Sequence, residues 1–389
     1  MIYLDNAATT KPSASVIEKT MQYLKDDFGN AGSIYSLGTK AKKAIDEARE
    51  SVAELIGAKP EQIIFTSGGT EANNLAIFGV QDYLRKIGRT HIITSMGEHD
   101  SVFKAVKKLS TKAQFHTRFL PLNSKGSIEN GNLVSEFLPE TGLVSVMCVN
   151  NEVGAVNRID LIADECKKRG VLFHTDCVQA LGTVKLRVDE IPVDMMSLSS
   201  HKIHGLKGTG ALFVRNPALL EPRIIGGSAQ EFGLRGGTEN VAGIVAFGQA
   251  CRDIIQTSKD TQFKIRKCKS TFLDELTKRL HDNGCFDLFN DNAMSGCNDS
   301  KILSLRFNGV DAETLILLLA NKDVFVSAGS ACHSHESVPS RVLCSIGLKP
   351  EEARNTIRVS FSGDEEKSQI RYAAAYLALC VLVLSTSVS

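Results

Sequence analysis

A single cysteine, Cys332, stands in the stretch SAGSACHSHE, residues 327–336, with histidines at positions 333 and 335. Three kinds of chemistry suit it: a structural thiol, a metal ligand beside two imidazoles, or a nucleophile. The thiolate is the reactive form, and His333 and His335, when protonated, favour it. Gly329, Ser327 and Ser330 suit a mobile loop. Far upstream, Lys202 follows the apolar run VDMMSL and precedes the glycine-rich HGLKGTG. A lysine in a half-buried cleft can lose its proton and form a Schiff base with an aldehyde, whereas a solvated one stays charged. Asp176 closes the apolar run VLFHTD. A carboxylate there either caps the next helix or pairs with a cation, and a protonated pyridine nitrogen is one such cation.

Other polar residues also follow apolar runs. Gly68, Gly69 and Thr70 come after QIIF and lead into TEANN. Free N–H groups and the dipole at a helix start suit a phosphate, although an ordinary strand-to-helix turn has the same look. The stretch is neither a Walker loop nor a G-x-G-x-x-G fingerprint. His99, in MGEHDS, reads as a capping residue or a catalyst. Asn150 and Asn151, in NNEVG, either shape a turn or offer donors to a ligand. The combination of amine, carboxylate and phosphate cradle is rarer than any one part. It supplies what pyridoxal phosphate needs at its aldehyde carbon, ring nitrogen and phosphate.

The elements that must position these groups alternate. QIIFTS, HIITS, GLVSVMCV, VLFHTD and VDMMSLS are short apolar runs, as expected for strands buried on both faces. Helical spacing falls between several of them, in EANNLAIFGVQDYLRK, DSVFKAVKKL and LIADECKKRG. This pattern predicts an α/β domain with a mostly parallel sheet, whose ligands sit beyond the carboxyl ends of the strands. After ENVAGIVAFGQACRDIIQ the rhythm changes. A charged helical segment leads to KILSLRF, TLILLLA and TIRVSFS. We expect a large domain over residues 12–257 and a smaller α+β domain built from 1–11 and 258–389, the latter carrying the Cys332 loop.

Composition narrows the function classes. The 389 residues are long enough for about two domains and a core that needs no disulfide or metal. A net charge of +1 argues against nucleic acid or an anionic membrane as the main partner. Ten cysteines include no C-x-x-C pair, which weakens zinc-ribbon and thioredoxin readings. MIYLDNAATT has neither a basic nor an apolar leader segment, so a reducing, cytoplasmic setting with free thiols is expected. The tail from Tyr372 to Ser389 lacks charge. Its strongly apolar part, about a dozen residues, is short of the ~20 that span a bilayer, so a packed terminal helix is expected, with a weak tail anchor as the lesser alternative.

Taken in order, YLDNAATT, TSGGTEANNLAI, EHDS, VNNEVG, HTDCVQA, SLSSHKIHGLKGTGALFV, LRGGTENV, SAGSACHS and ARNTIRVS resemble the cysteine desulfurase and selenocysteine lyase family of pyridoxal-phosphate enzymes. The likeness runs from about residue 3 to 360 and implies the fold-type I, class V aminotransferase-like architecture. It implies roles by position. Lys202 would hold the cofactor and later move the substrate's α-proton. Asp176 would pair with the ring nitrogen, and Gln179 and Asn151 would address the ring hydroxyl side. His99 would stack over the ring and assist proton transfer. Gly69, Thr70, Ser199 and His201 would bind phosphate. Thr238 would reach the phosphate of a second subunit, which implies a homodimer. Arg358, together with Asn151, would hold the substrate carboxylate with its planar fork. Cys332 would take sulfur from L-cysteine as a persulfide, leaving L-alanine, or act as acid or selector when selenium leaves L-selenocysteine. A sulfur or selenium acceptor protein is implied as a further partner.

Within the family, Tyr35 followed by Ser36 and the Lys-Ala-Lys run is similar to the selenocysteine lyase branch, as is ACHS with VPSRVLCSIGL. The sequence is therefore expected to be selenocysteine lyase-like with cysteine desulfurase activity, the alternative being a dedicated desulfurase that passes a Cys332 persulfide to iron–sulfur or thio-cofactor assembly. Two features depart from the pattern. Gly363 is followed by Asp364 where the family usually has arginine, and the apolar tail differs from the charged ending common in desulfurases. Two rival readings are a metal-binding protein using Cys332, His333 and His335, and an aminotransferase. Adjacent Cys-His cannot easily reach one ion together, and no fourth ligand sits at a useful spacing.

Overall fold

The computed structural model describes residues 1–111, 115–227, 230–280, 286–289, 300–329 and 339–386. Its strands, in chain order, are β1 (Ile2–Tyr3), β2 (Ile63–Thr66), β3 (His91–Ser95), β4 (His116–Leu120), β5 (Thr141–Ser145), β6 (Leu172–Asp176), β7 (Met195–Ser199), β8 (Gly210–Val214), β9 (Phe286–Phe289), β10 (Ile302–Phe307), β11 (Val324–Phe325), β12 (Ser327–Ala328) and β13 (Thr356–Ser360). Seven of them form one sheet in the order β2-β8-β7-β6-β5-β3-β4. All its pairings are parallel except those of β8, which runs antiparallel to β2 and β7. The expected mostly parallel α/β layer is therefore present. Every residue of β2, β3, β5, β7 and β8 is buried, which is why these runs are apolar without alternation.

Some polar residues inside this sheet are paired across strands. His174 of β6 bonds Ser145 on one side at 2.8 Å and Ser197 on the other at 3.0 Å. Burial pushes its pKa down to about 3, so the ring is a neutral rung between β5, β6 and β7.

A second sheet has the order β12-β13-β10-β9, all antiparallel, and β1 pairs with β11 in parallel. Its core includes Leu4, Phe272, Leu305, Phe307, Leu315, Val359 and Phe361. TLILLLA lies in a helix, Ala312–Ala320, whose first turn is capped by the Asp311 carboxylate. One helix of 40 residues, Val241–Leu280, runs from the large sheet to the small one, so the change of rhythm near 258 falls inside a helix. Val342, Leu343 and Ala353 join the core of the large sheet, so the chain returns to that layer before β13.

Two local expectations are corrected. EANNLAIFGVQDYLRK is not one helix: it forms Gly69–Gly79 and Gln81–Lys86. The break is occupied by a neighbouring segment, since the Gly79 carbonyl accepts from the Glu221 N–H at 3.0 Å. The terminal helix, Lys367–Thr386, is longer than its apolar part alone, and Lys367–Ser385 is long and apolar enough to cross a membrane by length and composition. It nonetheless packs Ile370, Ala373, Ala374, Leu377, Ala378 and Val381 into the second core. Just before it, where arginine was expected, Asp364 is exposed, while the neighbouring Glu365 carboxylate accepts from the Ser362 and Gly363 N–H groups at 2.6 and 2.9 Å. Acidic residues at this point suit a helix N-terminus.

Candidate active site

The carboxyl ends of β2, β3, β6 and β7 open on one cavity of about 310 Å3, which Ala7, Ala8, Arg341 and Arg358 also line. Gly69, Thr70, His99, Asn151, Asp176, Gln179, Ser199, His201, Lys202 and Arg358 all line it. The sheet order explains the gathering. β6 and β7 are neighbours, so Asp176 and Ser199 finish side by side, and the turns after β2 and β3 flank them.

One predicted residue lies elsewhere, and another is outside the described residues. Thr238 is exposed in the loop before the long helix and does not line the cavity. Cys332 lies outside the described residues, as do His333 and His335.

Lys202 sits in a short 3-10 turn, Ser200–Lys202, directly after β7. Its ammonium donates to the carbonyls of Ala7 and Ala8 at 2.6 and 2.7 Å. Gln179 donates to the same Ala7 carbonyl at 2.9 Å. The N-terminal segment thus forms one wall, which links the small sheet to the cavity. Behind Lys202 lies Lys301, buried, with its ammonium on the Lys202 carbonyl at 2.9 Å. Burial, reinforced by Lys202 and Arg358, pushes its pKa down to about 7.

Asp176 accepts from the Asn73 amide at 2.7 Å and from the Val178 N–H at 2.9 Å. His201 bonds Thr9 Oγ1 at 3.1 Å, and its pKa is pushed down to about 4, chiefly by burial and then by Lys202, Lys207 and Lys301. Arg358 donates to the carbonyls of Asn151 and Gly329 at 2.7 and 3.2 Å and to Asp5 at 3.0 Å.

The donor set fits pyridoxal phosphate. Ser199 Oγ and Gln179 Oε1 are buried and have no partner among the described residues, so a bound polar group would satisfy them. A Cβ on Gly69 would come within 2.6 Å of Val178, so a glycine is needed where the helix start meets the cavity. The remaining requirements, a lysine amine and a buried carboxylate, are met by Lys202 and Asp176.

Residues that motif reading did not single out also line this cavity. Glu98, next to His99, is buried, and burial lifts its carboxyl to about 8. Its Oε1 accepts from Ser95 at 2.6 Å and from the Met147 N–H at 3.1 Å, while Oε2 has no partner among the described residues. Arg341 stacks over Phe103 at 3.9 Å and bonds the Met96 and Glu98 carbonyls. The acidic neighbour in GEHDS was visible in the sequence. The reach of Arg341 across more than 200 residues was not.

Comparison with known proteins agrees with this geometry. The aminotransferase class-V family model matches residues 2–372. The chain is 38% identical to the cysteine desulfurase IscS of Dictyoglomus turgidum over 99% of its length and 95% of that protein's. It is 40% identical to the cysteine desulfurase IscS of Pectobacterium carotovorum, covering 95% and 90%. Among solved structures, a NifS-like protein superposes with a TM-score of 0.88 at 30% identity, covering 99% of each chain. SspA in complex with cysteine gives a TM-score of 0.79 at 32% identity, over 94% of this chain and 100% of that one.

Proposed function

The chain belongs to the aminotransferase class-V family, whose cysteine desulfurase members depend on pyridoxal phosphate, and within that family we propose that it is a cysteine desulfurase that converts L-cysteine to L-alanine and keeps the sulfur on Cys332. The observation that carries this reading is the full-length likeness to cysteine desulfurases, combined with a cavity that brings Lys202, Asp176, His99 and Arg358 together. The lean towards selenocysteine carried by Tyr35 and the Lys-Ala-Lys run gives way here, since the relatives described above are named for cysteine. Tyr35 is also exposed and does not line the cavity.

Bound in this cavity, pyridoxal phosphate supplies an electron sink that weakens the substrate's Cα–H and Cβ–S bonds. Lys202 would hold it covalently and, once displaced by the substrate amine, move the α-proton. Asp176, fixed by Asn73 and Val178, would face the ring nitrogen as a carboxylate. The Gly69–Thr70 helix start, Ser199 and His201 would hold the phosphate, and Gln179 and Asn151 the ring hydroxyl side. Arg358 would bind the substrate carboxylate. The Cys332 thiolate would attack the substrate sulfur: an S–S bond forms, the Cβ–S bond breaks with its electron pair left on the carbon fragment, and proton uptake there gives alanine. A sulfur acceptor protein would then collect the persulfide.

The working unit we propose is a homodimer. Thr238 is exposed beside a segment whose Ile225 is 88% exposed, and Ile224 bridges to Arg235, which puts these residues on one patch. Thr238 would reach the phosphate site of the other copy.

Anaerobic assays on L-cysteine and L-selenocysteine, reading alanine, test the proposal. We expect alanine from cysteine with one persulfide on Cys332, and loss of cysteine turnover in Cys332→Ala with the cofactor retained. Turnover of selenocysteine alone, or a C332A variant as active on cysteine as the parent, would refute it.

A further inference from the structure

A hydrogen-bonded chain runs behind the groups that face the cavity. Asn73, on the helix Gly69–Gly79, donates from Nδ2 both to Asp176 Oδ2 at 2.7 Å and to Ser101 Oγ at 2.8 Å. Ser101 Oγ accepts there, so its own hydrogen is left to give. The atom opposite is His99 Nδ1, at 2.7 Å. The Ser101 backbone N–H points at the same nitrogen from 3.2 Å. With two donors converging on it, Nδ1 is an acceptor and carries no hydrogen. A neutral imidazole in that state bears its hydrogen on Nε2.

We propose that His99 serves the cavity as a neutral, fixed hydrogen-bond donor through Nε2, with Ser101 and Asn73 as the positioning residues that set its tautomer. This assigns His99 a narrower duty than the proton transfer implied by family resemblance. Its lone pair is on Nδ1, turned towards Ser101, so the ring cannot take a proton from a group bound in the cavity. A neutral imidazole that polarises an oxygen or sulfur by donation is a known catalytic device. The Asn73 link also ties the ring to Asp176, so the two groups are set by one amide.

The surrounding charges agree with a neutral ring. Burial is the largest influence and lowers the pKa of His99; Asp176 and Asp100 oppose it, while Lys202 and Arg341 add to it. Protonation would also place an N–H on Nδ1 against the Ser101 N–H.

The inference rests on this cavity being the catalytic centre, and its test reads His99 directly. Holoenzyme labelled with 15N-histidine would be followed by NMR from pH 5 to 9, with the His99 signals assigned by their loss in His99→Gln. We expect an unprotonated Nδ1 and a protonated Nε2 at pH 7. Ser101→Ala removes one of the two donors to the neutral ring, so the titration midpoint should rise, by about one pH unit. Ser101→Thr keeps the hydroxyl and should restore it. A protonated Nδ1 or an imidazolium at pH 7, or a midpoint unmoved by S101A, would overturn the proposal. Failure to turn over cysteine would count against the proposed activity and leave the tautomer assignment standing.

Discussion

Arg358 and Asp5 are joined by an ion pair, Nη2 to Oδ1 at 3.0 Å, between β13 and the residue two after β1. Arg358 is almost fully buried, and its Nε has no partner among the described residues. Asp5 thus balances this guanidinium, the group we propose for the substrate carboxylate. Asp5→Asn keeps the shape and removes the charge. We expect it to destabilise the protein by about 1.5–3 kcal/mol, the usual worth of a charge-assisted bond. The cation left behind should hold the substrate carboxylate more tightly, so KM for L-cysteine should fall. Thermal unfolding and steady-state kinetics check both; a raised KM at unchanged stability would mean that Asp5 only orients the fork.

Lys202 should be the lysine that carries the cofactor. Its ammonium is held by the Ala7 and Ala8 carbonyls at the cavity wall. Borohydride reduction followed by peptide mass spectrometry should place the adduct on Lys202 and lose it in Lys202→Ala. The second lysine nearby, Lys301, is the informative control, because burial holds its pKa at about 7 and so makes it nucleophilic too. An adduct on Lys301 would reassign the role.

Much of this site was legible because chemistry at a parallel sheet collects at strand ends. Asp176, Ser199 and Lys202 each follow a buried apolar run, and neighbouring strands bring them together whatever the rest of the chain does. Gly69 and Thr70 were legible for the same reason. Contacts between distant segments left no such mark. The carbonyls of Ala7 and Ala8 act through backbone alone, so no residue type announces them. Asn73 looked like any polar residue in the first turns of a helix, and only the fold sets its amide between Asp176 and Ser101. The break at Gly79 depends on a segment about 140 residues later, which local propensity does not register. The return of Val342 and Leu343 to the first core was hidden likewise, since a short amphipathic helix suits either layer.

Glu98 should make stability depend on pH in a known direction. Its carboxyl is ordinarily near 4.5 and is lifted to about 8 by burial. Between these values the folded state keeps a proton that the unfolded chain releases. The contribution of the neutral acid is therefore complete below about pH 4.5 and is lost as pH rises to about 8, with a slope approaching about 1.4 kcal/mol per pH unit. Glu98→Gln mimics the neutral acid. Urea unfolding at several pH values should show the parent losing stability relative to the variant between pH 5 and 8, and a constant gap above. A pH-independent difference would mean that Glu98 is ionised throughout.

Arg341 holds the turn that presents Glu98 and His99. Its guanidinium lies over the Phe103 ring at 3.9 Å and donates to the Glu98 carbonyl at 2.7 Å, to the Met96 carbonyl, and to Asp100 at 3.3 Å. These contacts use the planar, forked shape, which lysine lacks. Arg341→Lys keeps the charge, and with it the effect on the His99 pKa, but cannot bridge two carbonyls while stacking on the ring. The turn should loosen and His99 should lose its fixed place over the cavity. We expect kcat/KM for L-cysteine to fall about tenfold, equivalent to about 1.4 kcal/mol, mostly through kcat. Arg341→Met keeps much of the apolar packing on Phe103 but no donor, and should fall at least as far. If both variants match the parent, the hydrogen bonds within the turn suffice to hold it, and Arg341 serves only to anchor the short helix Arg341–Ser345 against the large sheet.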